Sequence, residues 1–476
     1  MTKIKSVEYF RVPPRWLFVK ITDEDGRVGW GEGSLEGHTQ AVEGCLDAYT
    51  TRIVGMEADE IEHIWQLLYR FGFYRGGPVM MSALSGIDIA LWDLKARKLG
   101  VPIHQLLGGK LRSKLKVYAW IGGDRPDDVE IQAKGRQNQG FLAVKMNAME
   151  DVGWMDTPSA LDSCVERLKA VKSLGMDAGI DFHGRLHKPM AKQLAKLLEP
   201  HRPMFIEEPL LSENIEGIKN LSQHTTTPIA LGERLHSRWD VKPYLESGAV
   251  DILQPDVCHV GGISELRRIA TMCETYDVAL APHCPLGPIA LAACVQVDAC
   301  SANFAIQEMS LGIHYNAGTQ DLTSYSKNPE VWNVKDGYID LLTGPGLGIE
   351  IDEEQVRRLS AGAETWVSPG FLGPGGELLA GLCLIHFSYS AFISPKSFIS
   401  VRKICTLTIR SSEDSASVSR ESRESCTQRR HVDFGADVLG QLETSEGGMV
   451  NKDPEDALED GQPLGPHTLH VTRYFL

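Results

Sequence analysis

Six short apolar runs in the middle of the chain each end in an ionisable residue. Gly179-Ile-Asp-Phe-His-Gly-Arg185 sets Ile180 and Phe182 in alternation with Asp181 and His183, the pattern of a strand whose two polar side chains share one face. Phe205-Ile-Glu-Glu-Pro209, Ile229-Ala-Leu-Gly-Glu-Arg234, Ile252-Leu-Gln-Pro-Asp256, Ala279-Leu-Ala-Pro-His283 and Phe304-Ala-Ile-Gln-Glu308 repeat the arrangement. Their terminal acids and histidines follow one another at roughly 25-residue intervals, the length of one strand–helix unit. Between them, residues 190–198, 264–276 and 288–300 carry helix-like apolar patterns. The alternation predicts a (β/α)8 barrel, whose chemistry lies at the C-terminal strand ends. Its first two strands are expected at 116–120 and 141–146, the second followed by Asn147.

The N-terminal pattern is different. Strand-like runs at 4–11, 16–22 and 27–32 are punctuated by Pro13-Pro14 and by residues 23–26, which predicts an antiparallel meander. Helical periodicity follows at 39–54, 59–69 and 79–99. The fold class predicted is therefore α/β, a modified TIM-type barrel with an N-terminal α+β capping domain. We place the boundaries at 1–112 for the cap, 113–320 for the barrel and 321–378 for a loop-rich segment returning to the cap. Arg15 and the loop Phe73-Tyr-Arg-Gly-Gly-Pro78, with Arg75, are candidates to lie over a pocket, although such a loop equally suits a plain helix–helix turn. Residues 379–476 depart in composition: the stretch 411–431 is crowded with Ser, Arg and Glu. Such a stretch cannot bury enough surface to offset its ordering entropy, so the tail is expected to be either a disordered extension or, as its composition favours, a mistranslated stretch from a faulty gene model.

Composition narrows the function. The net charge of −15 argues against a nucleic-acid partner. The opening Met-Thr-Lys-Ile-Lys-Ser lacks the apolar run of a secretory leader, and the apolar stretch 378–399 is interrupted by His386 and Pro395. The 10 cysteines show no Cys-x-x-Cys spacing, which suits reduced thiols in a cytoplasmic protein. A small-molecule substrate is expected, with neither nucleic acid nor membrane as partner.

The strand-end residues carry the chemistry. Asp181, Glu207 and Glu233 end three successive strands. Three oxygen donors with no Cys or His among them suit a hard ion, most simply Mg²⁺. In Glu207-Glu208 the side chains of a strand point opposite ways, and register alone leaves open which is the ligand. Asp256 and His283 end the next strands; a carboxylate beside an imidazole fixes its tautomer and raises its basicity, making a general base. His183 approaches from the other side. A cation flanked by two histidines suits proton abstraction next to a carboxylate, because it stabilises the resulting ene-diolate. Cys284 reads as a small residue packed beside the base rather than a nucleophile. Gly261-Gly262 ahead of a helix suits either anion binding or a shortened loop.

These runs, together with Ile121-Gly-Gly-Asp-Arg-Pro126, Ala281-Pro-His-Cys-Pro-Leu-Gly-Pro288 and Gly312-Ile-His-Tyr-Asn316, resemble the enolase superfamily, in its mandelate-racemase-like branch. The likeness runs from about residue 3 to residue 370. The strand-end acids are shared across the superfamily; the Asp-x-His run and the Pro-His-Cys-Pro-Leu-Gly-Pro run are similar to its acid-sugar dehydratases. The resemblance implies Mg²⁺ on Asp181, Glu207 and Glu233. It implies that His283, paired with Asp256, takes the C2 proton, that His183 protonates the departing 3-hydroxyl, and that Glu308 stabilises the transition state. The reaction implied is a hydro-lyase conversion of D-galactonate to a 2-keto-3-deoxy acid, in a homo-oligomer. Alternatives within the resemblance are another sugar acid such as gluconate, or an epimerase; a non-catalytic protein retaining the fold is a third. Lys145-Met-Asn147 lacks the Lys-x-Lys of the two-base racemases.

Overall fold

Strands β1 (Ile4–Val12), β2 (Trp16–Asp23) and β3 (Val28–Glu32) form an antiparallel sheet in the order β1-β2-β3. The computed structural model from which this is taken describes residues 2–368, Gly370 and Gly376, except Phe71, Asp124, Arg125, Glu150 and Asp151. The expectation for 379–476 lies outside the described residues. Helices α1 (Thr39–Ile53) and α3 (Pro78–Leu99) pack on the sheet, and α2 (Ile61–Arg70) packs on α3.

The contact between β3 and α3 depends on missing side chains. A Cβ at Gly31 would lie 1.9 Å from the Gly86 carbonyl oxygen, and one at Gly29 would lie 2.1 Å from that of Ala90. Both obstacles are backbone and cannot swing aside. Gly31→Ala should therefore destabilise the protein by about 2–3 kcal/mol, as overpacked cores do. Gly44→Ala in α1, where nothing lies within 4 Å of the new methyl, should be neutral or mildly stabilising. Urea unfolding of the two variants beside wild type checks the contrast; equal midpoints would refute it.

The next elements are α4 (Ile103–Leu106), β4 (Lys114–Ile121), α5 (Val129–Asn138), β5 (Ala143–Asn147), α6 (Asp162–Ser173), β6 (Asp177–Asp181), α7 (Lys188–Leu198) and β7 (Ile206–Glu207). There follow α8 (Ile215–Ser222), β8 (Ile229–Leu231), α9 (Arg238–Ser247), β9 (Ile252–Leu253), α10 (Gly262–Thr275), β10 (Ala279–Leu280), α11 (Pro288–Asp298) and β11 (Gln307–Met309). The eight strands β4 to β11 run parallel in the order β10-β9-β8-β7-β6-β5-β4-β11. A bridge from Leu280 to Phe304, just ahead of β11, closes the ring. The α/β class and the modified barrel with its α+β cap are thus the observed fold.

The modification lies after β11. Instead of an eighth barrel helix, the described chain continues through loops to β12 (Tyr338–Asp340), which pairs antiparallel with the start of β4. Helix α12 (Glu353–Ser360) then meets the N-terminal sheet, where Lys20 Nζ lies 2.6 Å from Glu353 and Arg357 2.8 Å from Glu8.

Two features place the reactive groups at one end of the barrel. The opposite part of its interior is filled by Tyr118, Ala143, Phe205, Ala230, Ala281 and Ile306. Gly179 makes room for the Phe205 ring, whose atoms lie 2.5 Å from where a Cβ would stand. Helices α2 and α3 are also bound to the start of α10. Trp65 Nε1 donates to the Gly261 carbonyl at 2.8 Å, and Asp88 accepts from Ser264 N at 3.0 Å and from its hydroxyl at 2.6 Å. The anion at Gly261-Gly262 is therefore the protein's own Asp88. A Cβ on Gly262 would sit 2.4 Å from that carboxylate. Burial pushes the Asp88 carboxyl up to about 7, although the Ser264 hydrogen bonds pull the other way. Among the described residues no helix is long and apolar enough to cross a membrane.

Candidate active site

Register puts the first two acids side by side. Asp181 at the end of β6 pairs with Glu207 at the end of β7, and Asn147 of β5 pairs with Asp181. The strand stops there. His183 turns into the left-handed region with φ 50°, and its backbone N–H donates to Asp181 Oδ1 at 2.8 Å. The turn folds the ring back until Nε2 is 3.0 Å from Asp181 Oδ2. Asp181 and His183 thus converge by a tight turn, not by the strand alternation that the sequence pattern suggests.

Glu207 and Glu208 part in a similar way. Glu207 stays in the strand and accepts from Lys145 Nζ at 2.9 Å and from Gln254 Nε2 at 2.7 Å. Glu208, at φ 38°, accepts from the Ser212 hydroxyl at 3.0 Å and lies 3.1 Å from Arg234 Nε. Gly232, with φ 148°, lets the end of β8 approach the backbone of Gln254, which a Cβ would meet at 2.7 Å. Glu233 follows directly, and its Oε2 lies 3.2 Å from His283 Nε2.

Across the barrel, His283 Nδ1 is 2.8 Å from Asp256 Oδ2, and Asp256 Oδ1 accepts from the backbone of Cys258 at 2.7 Å. The dyad anchors one ring nitrogen and aims the other at Glu233. Glu308, on β11, accepts from the Cys284 backbone N–H at 3.0 Å through one oxygen. Its other oxygen is 3.1 Å from Lys145 Nζ. Lys145 also approaches Asp181 at 3.4 Å, so one buried ammonium serves three acids. Burial alone would depress that lysine, but Glu207 and Glu308 hold it well above its usual value.

The electrostatics are strongly unbalanced. Burial pushes the Glu207 carboxyl far up, and Asp181 and Glu233 add to it. Burial and Glu233 raise Glu208 to about 8. His283 would be lowered by burial, yet Glu233, Asp256 and Glu308 outweigh that and raise it to about 10. A cleft this rich in carboxylate is one that a bound cation would balance.

The donor set fits a metal. Oδ2 of Asp181 and Oε2 of Glu233 are buried and lack hydrogen-bond geometry toward the nearby imidazoles. Together with His183 they offer ligand atoms within 4.8 Å of one another. Asp181 and Glu233 are thus available for a hard ion, with Glu207 at their side. In this structure the Glu207 oxygens are held by Lys145 and Gln254.

A cavity of ≈560 Å³ collects these groups, with Lys145, His183, Glu233, His283 and Glu308 on the barrel side. The cap contributes Arg15, Leu35, Glu36, His38 and Pro78. Of the two capping features proposed from sequence, Arg15 is therefore in place. The 73–78 loop is represented only by Pro78, and Phe73 and Tyr74 stand 94% and 80% exposed. Cys284 is buried and its thiol is pushed far up by burial, so it packs beside the base rather than reacting.

Lys145, Glu36 and His259 are among the cavity residues that the sequence pattern does not single out. Lys145 stands near the end of an apolar run, where the sequence shows only that the Lys-x-Lys of a two-base racemase is absent. Glu36 lies in a loop with no distinguishing period, and His259 follows the acid-ended run by three residues. Pattern carries no signal for either.

The chain matches two family models: mandelate racemase/muconate lactonizing enzyme, N-terminal domain, over residues 12–108, and enolase C-terminal domain-like over 128–355. A D-galactonate dehydratase of Ralstonia pickettii (strain 12J) is 49% identical over 370 residues, which are 77% of this chain and 97% of that protein. Among solved structures, an enolase from Agrobacterium radiobacter is provisionally named a galactarate dehydratase and carries bound sodium and L-malate with an ordered active site. It aligns with TM-score 0.72 at 32% identity, over 79% of this chain and 99% of its own. A mandelate racemase/muconate lactonizing enzyme-like protein from Rubrobacter xylanophilus aligns at 0.69 and 27% identity, over 75% and 97% of the two chains.

Proposed function

Because the chain belongs to the enolase superfamily, we propose that it is an Mg²⁺-dependent acid-sugar dehydratase converting D-galactonate to 2-dehydro-3-deoxy-D-galactonate and water. The observation that carries this reading is the pair of histidines on opposite sides of one cavity: His283 oriented by Asp256, and His183 turned back onto Asp181. Loss of water from a 2,3-dihydroxy acid needs one group to take the C2 proton and another to protonate the departing 3-hydroxyl. Two independently held imidazoles meet that need.

His283 is the base. Asp256 holds its Nδ1, leaving Nε2 for the C2 hydrogen. His183 is the acid for the leaving hydroxyl, its ring fixed by Asp181. Lys145 brings positive charge to where the C1 carboxylate gathers negative charge, and Glu308 holds Lys145 in place. Asp181, Glu207 and Glu233 would hold the metal, and all-oxygen donors favour Mg²⁺ over softer ions. Such an ion supplies Lewis-acid stabilisation of charge developing on the carboxylate. It would also offset Glu233, the carboxylate that most raises His283, and so favour the neutral imidazole that a base requires. The cysteines described are free, which agrees with the reducing cytoplasm as its compartment.

The test is a screen of purified full-length protein with Mg²⁺ against aldonic acids, read as keto-acid formation. D-Galactonate is expected to give the highest kcat/KM. A larger value for gluconate or another epimer would reassign the substrate, and turnover of none would remove the dehydratase reading.

A further inference from the structure

His283 is joined to helix α11 by a strut of four residues, Cys284-Pro-Leu-Gly287, and each of them is tied down. The Cys284 N–H donates to Glu308 at 3.0 Å, and the Leu286 carbonyl accepts from the Ser310 hydroxyl at 2.6 Å. The Pro285 carbonyl accepts from Arg15 Nη2 at 3.3 Å, and the Gly287 N–H donates to Glu32 Oε1 at 2.9 Å. Glu308 and Ser310 belong to the barrel. Arg15 and Glu32 belong to the cap, so the backbone that carries the base is held from both sides.

Glu32 ends β3, is fully buried and is not among the residues that line the cavity. Its Oε2 accepts from the Ala290 N–H at 2.9 Å, and its Oε1 also accepts from the Ser34 hydroxyl at 2.7 Å. Helix α11 has no side-chain cap of its own at Gly287. The first N–H groups of a helix lack partners within it and favour a negative charge, and here the cap supplies one. The fit leaves no slack: a Cβ on Gly287 would stand 2.6 Å from Glu32 Oε2. Burial pushes the Glu32 carboxyl up to about 7, against the opposing pull of the Ala290 N–H, the Ser34 hydroxyl and the Gly287 N–H.

We propose that Glu32 is a positioning residue for proton abstraction: it fixes the far end of the 283–287 strut and so sets where His283 Nε2 meets the C2 hydrogen. Asp256 holds one nitrogen of the ring, but the place of the ring in the cavity follows its backbone, and that backbone is anchored by the cap. A base displaced by about 1 Å can lose on the order of 10²-fold in rate even when the change lies far from the chemistry. The proposal rests on the reading of His283 as the base.

Full-length Glu32→Gln is assayed on D-galactonate with Mg²⁺ at mildly alkaline pH, where the wild-type carboxylate is ionised. The amide keeps the shape but turns one acceptor into a donor, so one helix N–H loses its partner. Turnover and C2 exchange with D₂O should fall together by about 10–100-fold, while KM stays within about twofold, because Glu32 touches no substrate. Gly287→Ala presses on the same contact from the barrel side and should give the same split. The double variant should be little worse than either single one, since both break one contact. Asp88→Asn is the control: it loosens the other cap acid, at Ser264, and should lower the melting temperature while kcat stays within about twofold. An unchanged kcat in Glu32→Gln, a loss carried by KM alone, additive losses in the double variant, or an equal loss of kcat in Asp88→Asn overturns the proposal. Amide hydrogen exchange read by mass spectrometry needs no substrate. Glu32→Gln should speed exchange at Gly287 and Ala290 and, through the strut, at Cys284. Wild type that forms no keto acid would defeat the dehydratase reading. Faster exchange at Cys284 would even then support the hold of Glu32 on the strut, and unchanged exchange there would overturn it.

Discussion

His283→Asn should abolish both dehydration and exchange of the C2 hydrogen of galactonate with D₂O, whereas His183→Asn should lose dehydration and keep exchange. The asymmetry follows from where each ring is held. His283 is oriented by Asp256 at 2.8 Å, and without the imidazole nothing at that position takes the proton. His183 sits on the far side, 3.0 Å from Asp181. Its loss leaves His283, Asp256 and Lys145 in place, so C2 still ionises but the 3-hydroxyl has no proton donor. The carbanion then returns, picking up deuterium. Each proton-transfer partner is worth about 10²–10⁴-fold in rate, so turnover falls steeply in both variants and exchange separates them. Proton NMR of galactonate in D₂O reads both events at once. Exchange by the His283 variant with none by the His183 variant would reverse the assignment of base and acid.

Glu233→Gln should nearly abolish turnover, and exhaustive EDTA treatment of wild type should do the same, reversibly on adding Mg²⁺. Glu233 is partly exposed, but its Oε2 is buried and aimed at His283, beside Asp181. The amide keeps the shape but removes one negative charge from the site of a divalent ion and offers it a neutral oxygen. Metal affinity and charge stabilisation fall together, so added Mg²⁺ should recover only part of the rate. The loss is expected to be about 10³-fold or more, comparable to removing a principal electrostatic stabiliser. Turnover that survives EDTA, or a Glu233→Gln variant within tenfold of wild type, would sink the metal assignment.

Much of this site is legible as one-dimensional pattern. Asp181, Glu207, Asp256 and Glu308 end or closely follow short apolar runs, and in a parallel barrel those runs finish at the same rim. Period and polarity therefore suffice to gather them. Lys145 shows the limit. Its position near a strand end was visible, but its contacts with Asp181, Glu207 and Glu308 arise from β4 and β5 lying between β6 and β11 in the ring. Strand order, not spacing, makes it the common countercharge. The 73–78 loop shows the same limit in reverse: its aromatics, glycines and arginine suit a pocket cover and a plain turn equally, and only the fold shows Phe73 and Tyr74 facing solvent with Pro78 alone at the cavity.

Chain pattern was enough for the barrel, its cap and the acids and histidines at the strand ends, because burial imposes period 2 on strands and a helical period on what separates them. How the groups face one another follows from the folded chain. Positive φ at His183 and Glu208 turns two side chains where strand geometry would have sent them elsewhere. The glycines at 29, 31 and 262 let α3 approach both its sheet and the barrel helix. Glu36 meets His259 across 223 residues of chain only because the cap closes on the barrel. Contacts of that range depend on packing between segments far apart in the chain, and no local pattern of polar and apolar residues records it.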